Sequence, residues 1–214
     1  MAVQNTLPDP NNRINDAGQD TSGSYGPGFS SVTVTSQQPV VMNRSNSGLA
    51  FRNINKFQKF MVDIRYNSLT EAEFNVVYPF LLERQASLEA FFVELPQYGN
   101  TSAGSKEISA DATAGTRTLS LQNVTSVAVA DLFYITDPSD DTHVKSYKVT
   151  KISSNTITVT PALQRSIDIS NAGTEYANFG TPRMRVCVPG SDIQYSVDAK
   201  GLYSFSVKLE ETIS

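Results

Sequence analysis

Polar and apolar residues alternate with a period of two along several stretches of this 214-residue chain, a pattern that puts one face of a strand in a core and the other in water. The clearest is KFMVDIRY, Lys59 to Tyr66, where Phe60, Val62, Ile64 and Tyr66 share one face and Lys59, Met61, Asp63 and Arg65 the other. SVTVT (Ser31 to Thr35) follows the same rule. Past Pro182 the pattern returns in three runs: Met184, Val186 and Val188; Ile193, Tyr195 and Val197; Tyr203, Phe205, Val207 and Leu209. All are predicted to be half-buried strands.

The period changes once, in NSLTEAEFNVVYPFLLERQAS. Thr70 and Glu73 have capping-box spacing, and Phe74, Val77, Tyr78 and Leu81 recur at helical intervals, so a helix is predicted at about 70–85 with its apolar stripe across a sheet. Pro79 removes one helical hydrogen bond and crowds the preceding turn, which predicts a kink there or a second short helix beginning at that residue.

Residues 101–182 differ in character. Short runs such as LFYIT (132–136), SYKVTKI (146–152) and NTITVT (155–160) are separated by turn-formers, DPSDD and SSN among them, and predict a small all-β barrel. The stretch LEAFFVELPQYGN (Leu88 to Asn100) stops abruptly before this region, and the longer amphipathic strands resume near Arg183. An inserted domain at 101–182 within a scaffold of 30–100 and 183–214 accounts for both, since neighbouring chain ends tolerate insertion. Residues 1–29, with Pro8, Pro10, Pro27 and many Asn, Asp, Ser and Gly, predict an extended N-terminal arm unable to offset its ordering entropy by burial in its own subunit.

Composition narrows the function. Only 18% of residues are charged, and 25 Ser and 19 Thr supply neutral polarity that suits sheet surfaces. A net charge of -4 argues against stable nucleic-acid binding, and no apolar run is long enough for membrane insertion by a helix. The N-terminal residues lack a signal-peptide pattern, so synthesis in a cytosol is expected.

Candidate chemistry is sparse. The single cysteine, Cys187, and single histidine, His143, provide no thiolate or imidazole metal cluster, and Cys187 alternates with valines as a small packed residue would. Asp137, Asp140 and Asp141 lack the ligand order and closing Glu of a calcium loop. GNTSAGSK (Gly99 to Lys106) places Ser before Lys, opposite to a phosphate loop, and is read as a linker. No catalytic residues, metal or cofactor are assigned, and the chain is not expected to be an enzyme. A basic cluster that includes Arg52, Lys56 and Lys59 is the candidate subunit interface. Within the barrel, six Lys/Arg stand against eight Asp/Glu, which disfavours DNA or RNA, while Tyr134, Tyr147, Tyr176 and Phe179 are candidates for stacking on sugar rings or for its core.

The order of these features, a Pro-rich arm, SVTVT, a strand, a capped helix, FFVELPQYG, a barrel with VAVADLFYITD, SYKVTKIS and ITVTPALQ, and a final strand pair closing on SFSVKLEE, resembles the distal tail proteins of long-tailed bacteriophages, in their short two-domain form. The resemblance spans nearly the whole chain. It implies a mainly β fold: a β-sandwich with one helix, forming a hexameric ring, and an inserted barrel of the oligosaccharide/oligonucleotide-binding (OB) type. It also implies a virion location at the tail tip or baseplate. The ring would contact copies of itself, the tail tube protein, the tail hub protein and other tail-tip proteins, linking tube to hub and receptor-binding apparatus, with DNA passing through its lumen. Relatives commonly carry Gly-Asp before the aromatic strand where this chain has Ala130-Asp131. The alternative is a carbohydrate-binding accessory module whose inserted barrel meets a host glycan.

Overall fold

A computed structural model of the chain describes residues 5–8, 28–38, 40–54, 58–85, 88–136, 145–169, 175–190 and 193–212. Among them one α-helix and fourteen strands form a mainly β protein, as the pattern of alternation predicts. The strands are β1 (Phe29–Gln37), β2 (Val40–Arg44), β3 (Ala50–Ile54), β4 (Lys59–Tyr66), β5 (Phe91–Glu94), β6 (Ser105–Glu107), β7 (Thr118–Ser120), β8 (Leu132–Thr136), β9 (Ser146–Ser153), β10 (Thr156–Thr160), β11 (Tyr176–Asn178), β12 (Arg183–Cys187), β13 (Tyr195–Val197) and β14 (Tyr203–Glu211). The helix α1 is Glu71–Glu83.

The chain divides into two compact units. The first is Met1–Thr35, Met61–Gln97 and Arg183–Ser214; the second is Ser36–Phe60 and Tyr98–Pro182. Residues 36–60 therefore group with the second unit, whereas the sequence reading kept them in the scaffold.

In the first unit the strand order is β1-β4-β14-β12-β5, with β13 beside β14. β5 and β12 are direct neighbours, with Arg183 opposite Glu94 and Val186 opposite Phe91, so the chain leaves and re-enters this sheet on adjacent strands. Alternation is kept across the ladder: Val62 and Ile64 face the same core as their partners Leu209 and Val207. That core receives α1 through Phe74, Val77, Phe80 and Leu81. Phe74 stacks on Tyr203 with ring centroids 4.4 Å apart, and Phe80 meets Phe91 edge-on at 5.3 Å, a geometry that aromatic quadrupoles favour.

The helix begins where the capping box predicts. Glu73 N–H donates to Thr70 Oγ1 and Thr70 N–H donates to the Glu73 carboxylate at 2.8 Å, satisfying two otherwise orphaned donors. No second helix starts at Pro79; α1 runs through it as one element. Asn75, whose carbonyl loses its partner, and Pro79 both lie on the exposed face, where water can replace the missing bond while the buried face holds the helix in place.

The N-terminal residues depart from the expected arm. Thr6 bridges Phe92 in parallel, Leu7 N–H donates to Phe92 O at 2.8 Å, and Phe92 N–H donates to Asn5 O at 2.7 Å. Leu7 is 1% exposed, and Thr6 and Pro8 are buried beside it. A single well-placed leucine and two backbone bonds order this segment, which average composition does not reveal. Residues 1–4 and 9–27 of the arm lie outside the described residues.

The second unit carries a six-stranded antiparallel sheet, β6-β11-β8-β9-β10-β7. Its end strands do not pair in a ladder; beyond them an antiparallel bridge joins Ile108 to Leu121, flanked by Ser109 N–H to Ser120 O and Gln122 N–H to Glu107 O. The core is built from alternate positions of these strands, with Phe133, Tyr147, Val149, Ile157, Val159, Ala177 and Phe179 at its centre. Ala130 has a φ of 77°. It tolerates this left-handed conformation with its N–H bonded to Val149 O at 2.8 Å.

Candidate functional site

The hairpin of β2 and β3 is the surface least supported by its own unit. It is a two-stranded sheet closed by Ser45–Leu49, where Gly48 takes a φ of 83° that side chains rarely adopt. Register puts Val40 and Met42 on one face and Phe51, opposite Asn43, on the other. Exposures of 51%, 52% and 64% for Val40, Met42 and Phe51, with Leu49 exposed beside them, mean that both faces show apolar side chains to solvent. Isolated two-stranded hairpins are marginal in water, and clustered exposed hydrophobics mark contact surfaces.

The ends of this 36–60 segment are fixed within the second unit by a buried network. Lys145 Nζ donates to Gln58 O at 3.1 Å and lies 5.5 Å from the centre of the Phe60 ring. The Gln58 amide donates to Ser36 Oγ, and Thr160 Oγ1 donates to Gln58 Oε1 at 2.9 Å. One amide thus ties the residue after β1's first seven, the residue before β4 and the end of β10. The hairpin projects from an anchored base.

Of the predicted basic cluster, Arg52 stands on β3 opposite Met42, so it shares the hairpin with the exposed apolar residues. Lys59 opens β4 and is half-buried. Lys56 lies outside the described residues, as do His143, Asp137, Asp140 and Asp141.

The four candidate aromatics separate by strand phase. Tyr147 and Phe179 are core residues: both rings pack on Phe133, at 5.7 and 4.8 Å, and Tyr147 Oη accepts from Gln164 N–H. Their faces are occupied, which corrects the reading of these two as sugar-stacking platforms. Tyr134 is half-buried and Tyr176 exposed. Register places Tyr134 opposite Asn178 and Thr136 opposite Tyr176, so the two tyrosines sit diagonally on one outward face. Asn178 links Ser105 and Thr136 across that face.

A groove of about 420 Å³ crosses four strands of the first unit, lined by Ser30, Arg65, Tyr66, Tyr195, Ser204 and Phe205 among others. It offers hydroxyls, one guanidinium and aromatic walls, with no carboxylate or imidazole in its lining. Among the described residues no group of His, Cys, Asp and Glu has metal-binding geometry, and no helix is long and apolar enough to cross a membrane. Cys187 lies half-buried on β12, outside any disulfide.

Glu175 is a buried carboxylate in the second unit, 2% exposed. Burial pushes its carboxyl above the ordinary range; the Arg165 charge and a hydrogen bond from the Asp168 backbone oppose this, and the Asp168 carboxylate adds to it.

Sequence reasoning missed the hairpin and the bridge that Asn5–Pro8 makes to Phe92. The turn SNSG at 45–48 was the available signal for the first; a lone leucine before Pro8 was the only signal for the second.

No curated protein sequence matches the chain. The family model described as distal tail protein pb9, A domain, N-terminal, matches residues 7–98. That match runs from the buried Leu7, through β1 to β5 and α1, to the end of the first pass through the first unit's sheet. Over this segment the chain is similar to that distal tail protein domain.

Proposed function

We propose that this chain is the subunit of a homohexameric ring at the tip of a phage tail, joining the tail tube to the hub and the receptor-binding apparatus and leaving a lumen for DNA. The family supports a structural role in the virion tail, which requires contacts with other tail components. The observation that carries the ring reading is the hairpin: Val40, Met42, Leu49 and Phe51 expose apolar area on a two-stranded element that its own unit leaves uncovered. A neighbouring copy would cover it. In this reading the work is done by subunit surfaces, the protein has no catalytic centre, and residues 101–182 form an appended OB-like module on a scaffold of 30–100 and 183–214. Arg52, Lys56 and Lys59 would flank the apolar contact and face an acidic neighbour.

Two measurements test this. Electron microscopy and mass photometry of the purified chain should show closed rings of uniform diameter, and Phe51→Asp should prevent closure while leaving the melting temperature within a few degrees. Persistent monomers at high concentration, with tail partners unable to close them into a ring, would remove the reading. The triple variant Arg52→Glu, Lys56→Glu, Lys59→Glu should also block closure; full-size rings at moderate salt would take the basic cluster out of the interface.

The outward face holding Tyr134 and Tyr176 supports a second reading, in which the module meets a host glycan through those two rings. Glycan-array binding that is lost in Tyr176→Ala would favour it.

A further inference from the structure

Two rows of side chains cross one face of the six-stranded sheet in the second unit, and antiparallel register fixes their membership. Directly paired residues present their side chains to the same side of a sheet. One row is Ser105, Asn178 and Tyr134, and the other is Glu107, Tyr176 and Thr136, each read across β6, β11 and β8. Ala177 and Ile135, which lie between the rows in sequence, belong to the core, so both rows face away from it. Tyr176 stands in the middle of its row and is 38% exposed. Its ring makes no aromatic or cation–π contact with another described residue, in contrast to Tyr147 and Phe179, which pack on Phe133.

The two flanks of that ring differ in chemistry. On the β6 side Glu107 brings a half-buried carboxylate that no ion pair joins to a described residue. On the β8 side Thr136 Oγ1 accepts from the Asn178 amide, whose oxygen in turn accepts from Ser105 Oγ. The Thr136 hydroxyl keeps its own proton to give. An open aromatic ring therefore lies between a carboxylate that only accepts and a hydroxyl that can donate, and the Asn178 amide is held in the orientation that sets the second. Of the six side chains in the two rows, Glu107 carries the only charge.

A pyranose matches this layout: its apolar C–H face suits the Tyr176 ring, and its hydroxyls can donate to Glu107 and accept from Thr136. A sugar bearing a carboxylate, sulfate or phosphate would instead set a second negative charge beside Glu107, and like-charge juxtaposition selects against a partner. We infer that Glu107 is the specificity-determining residue of a saccharide site centred on Tyr176, which takes neutral and amino sugars and rejects acidic ones. This rests on the second reading above, the contact with a host glycan, and adds the class of ligand and the residue that sets it. On a hydrated surface two unit charges about 4 Å apart change an affinity about fivefold, which sets the size of the effect to look for.

The test titrates the full chain with oligomers of N-acetylglucosamine, glucosamine and galacturonate of matched length, reading the backbone amide NMR shifts of Tyr176 and its neighbours, with melting temperatures in parallel. The first two should move the Tyr176 signal and galacturonate should bind about fivefold more weakly or not at all. Tyr176→Ala should abolish the response, and Glu107→Gln should strengthen galacturonate and weaken glucosamine, each about fivefold. Galacturonate binding as tightly as the other two, or an order of preference that Glu107→Gln leaves unchanged, would overturn the role of Glu107 while the glycan reading stands. A Tyr176 signal that no saccharide moves, or binding that survives Tyr176→Ala, would remove the glycan reading at this face and the inference with it. Should Tyr176→Ala unfold the module, Glu107→Lys keeps the ring in place and should make galacturonate the tightest of the three; an order that does not reverse would overturn the proposal.

Discussion

In the second unit, six strands bring alternate residues to one core, and a bridge between Ile108 and Leu121 links the extensions of its two end strands. In the first unit, the sheet needs help from outside itself: α1 covers one face with Phe74, Val77, Phe80 and Leu81, and Asn5–Pro8 covers the β5 edge, while β1 is the outermost strand at the other end among the described residues. Two sheets of similar size thus manage their edges in opposite ways. A sheet whose end strands are bridged leaves less backbone unpaired than one that ends in an outermost strand. The comparison sets a six-stranded sheet with its own core against a helix-bearing sheet that draws on added segments.

The largest expected effect tests whether the module's core is its own. Phe179 is fully buried and packs on Phe133 at 4.8 Å. Phe179→Ala should cost about 3–5 kcal/mol through lost transfer energy and a residual cavity. Hydrogen exchange should show protection falling in β8 to β11 while β4, α1 and β14 keep theirs. A uniform loss across both sets of elements would break the comparison, because it would mean one cooperative structure rather than two units.

How much of this was legible follows from strand length and phase. β4 and β8 were read at their observed bounds because five to eight residues of strict or near-strict alternation leave little freedom. The helix was read because Thr70 and Glu73 announce its start. β6, β7 and β11 are three residues each, too short to establish a period. The hairpin escaped for a different reason: Val40, Met42 and Phe51 are apolar but exposed on both faces, so no polar face exists to set the phase. Among the candidate aromatics the phase was informative: Tyr147 keeps step with buried Val149, and Tyr134 is out of step with buried Phe133 and Ile135. Identity alone, aromatic in a small domain, could not separate a core ring from a surface one.

A smaller effect sharpens the other side of the comparison, since the first unit depends on an added helix. Thr70→Ala removes the oxygen that accepts from Glu73 N–H and leaves a first-turn donor to water. The expected cost is about 1 kcal/mol, typical of an N-cap. Chemical denaturation should show a lower midpoint for the helix signal with the module's transition unchanged. An unchanged helix midpoint would show that Phe74 and Phe80 packing, not capping, fixes the start of α1.

The smallest effect lies in the module and is read through pH. Because burial raises the Glu175 carboxyl above its ordinary range, the folded chain holds that proton more tightly than the unfolded chain does. The unfolded state then binds fewer protons in that interval, so stability falls as pH rises through it. The penalty is absent well below the ordinary glutamate range and fully present above the raised value. Glu175→Gln keeps the shape and an acceptor for the Asp168 N–H but removes the charge, at the cost of its attraction to Arg165. The raised value says that burial outweighs that attraction, so the variant should melt slightly higher than the parent at neutral pH, with the gap closing towards pH 4. The Ile108 N–H bond to the Glu175 backbone carbonyl, 3.0 Å, is untouched by the change and keeps β6 in register. A variant that melts lower at neutral pH would show that the Arg165 pair stabilises the module, and a shift in α1 protection as well as in β6 and β11 would show that the module's electrostatics reach the helix-bearing sheet.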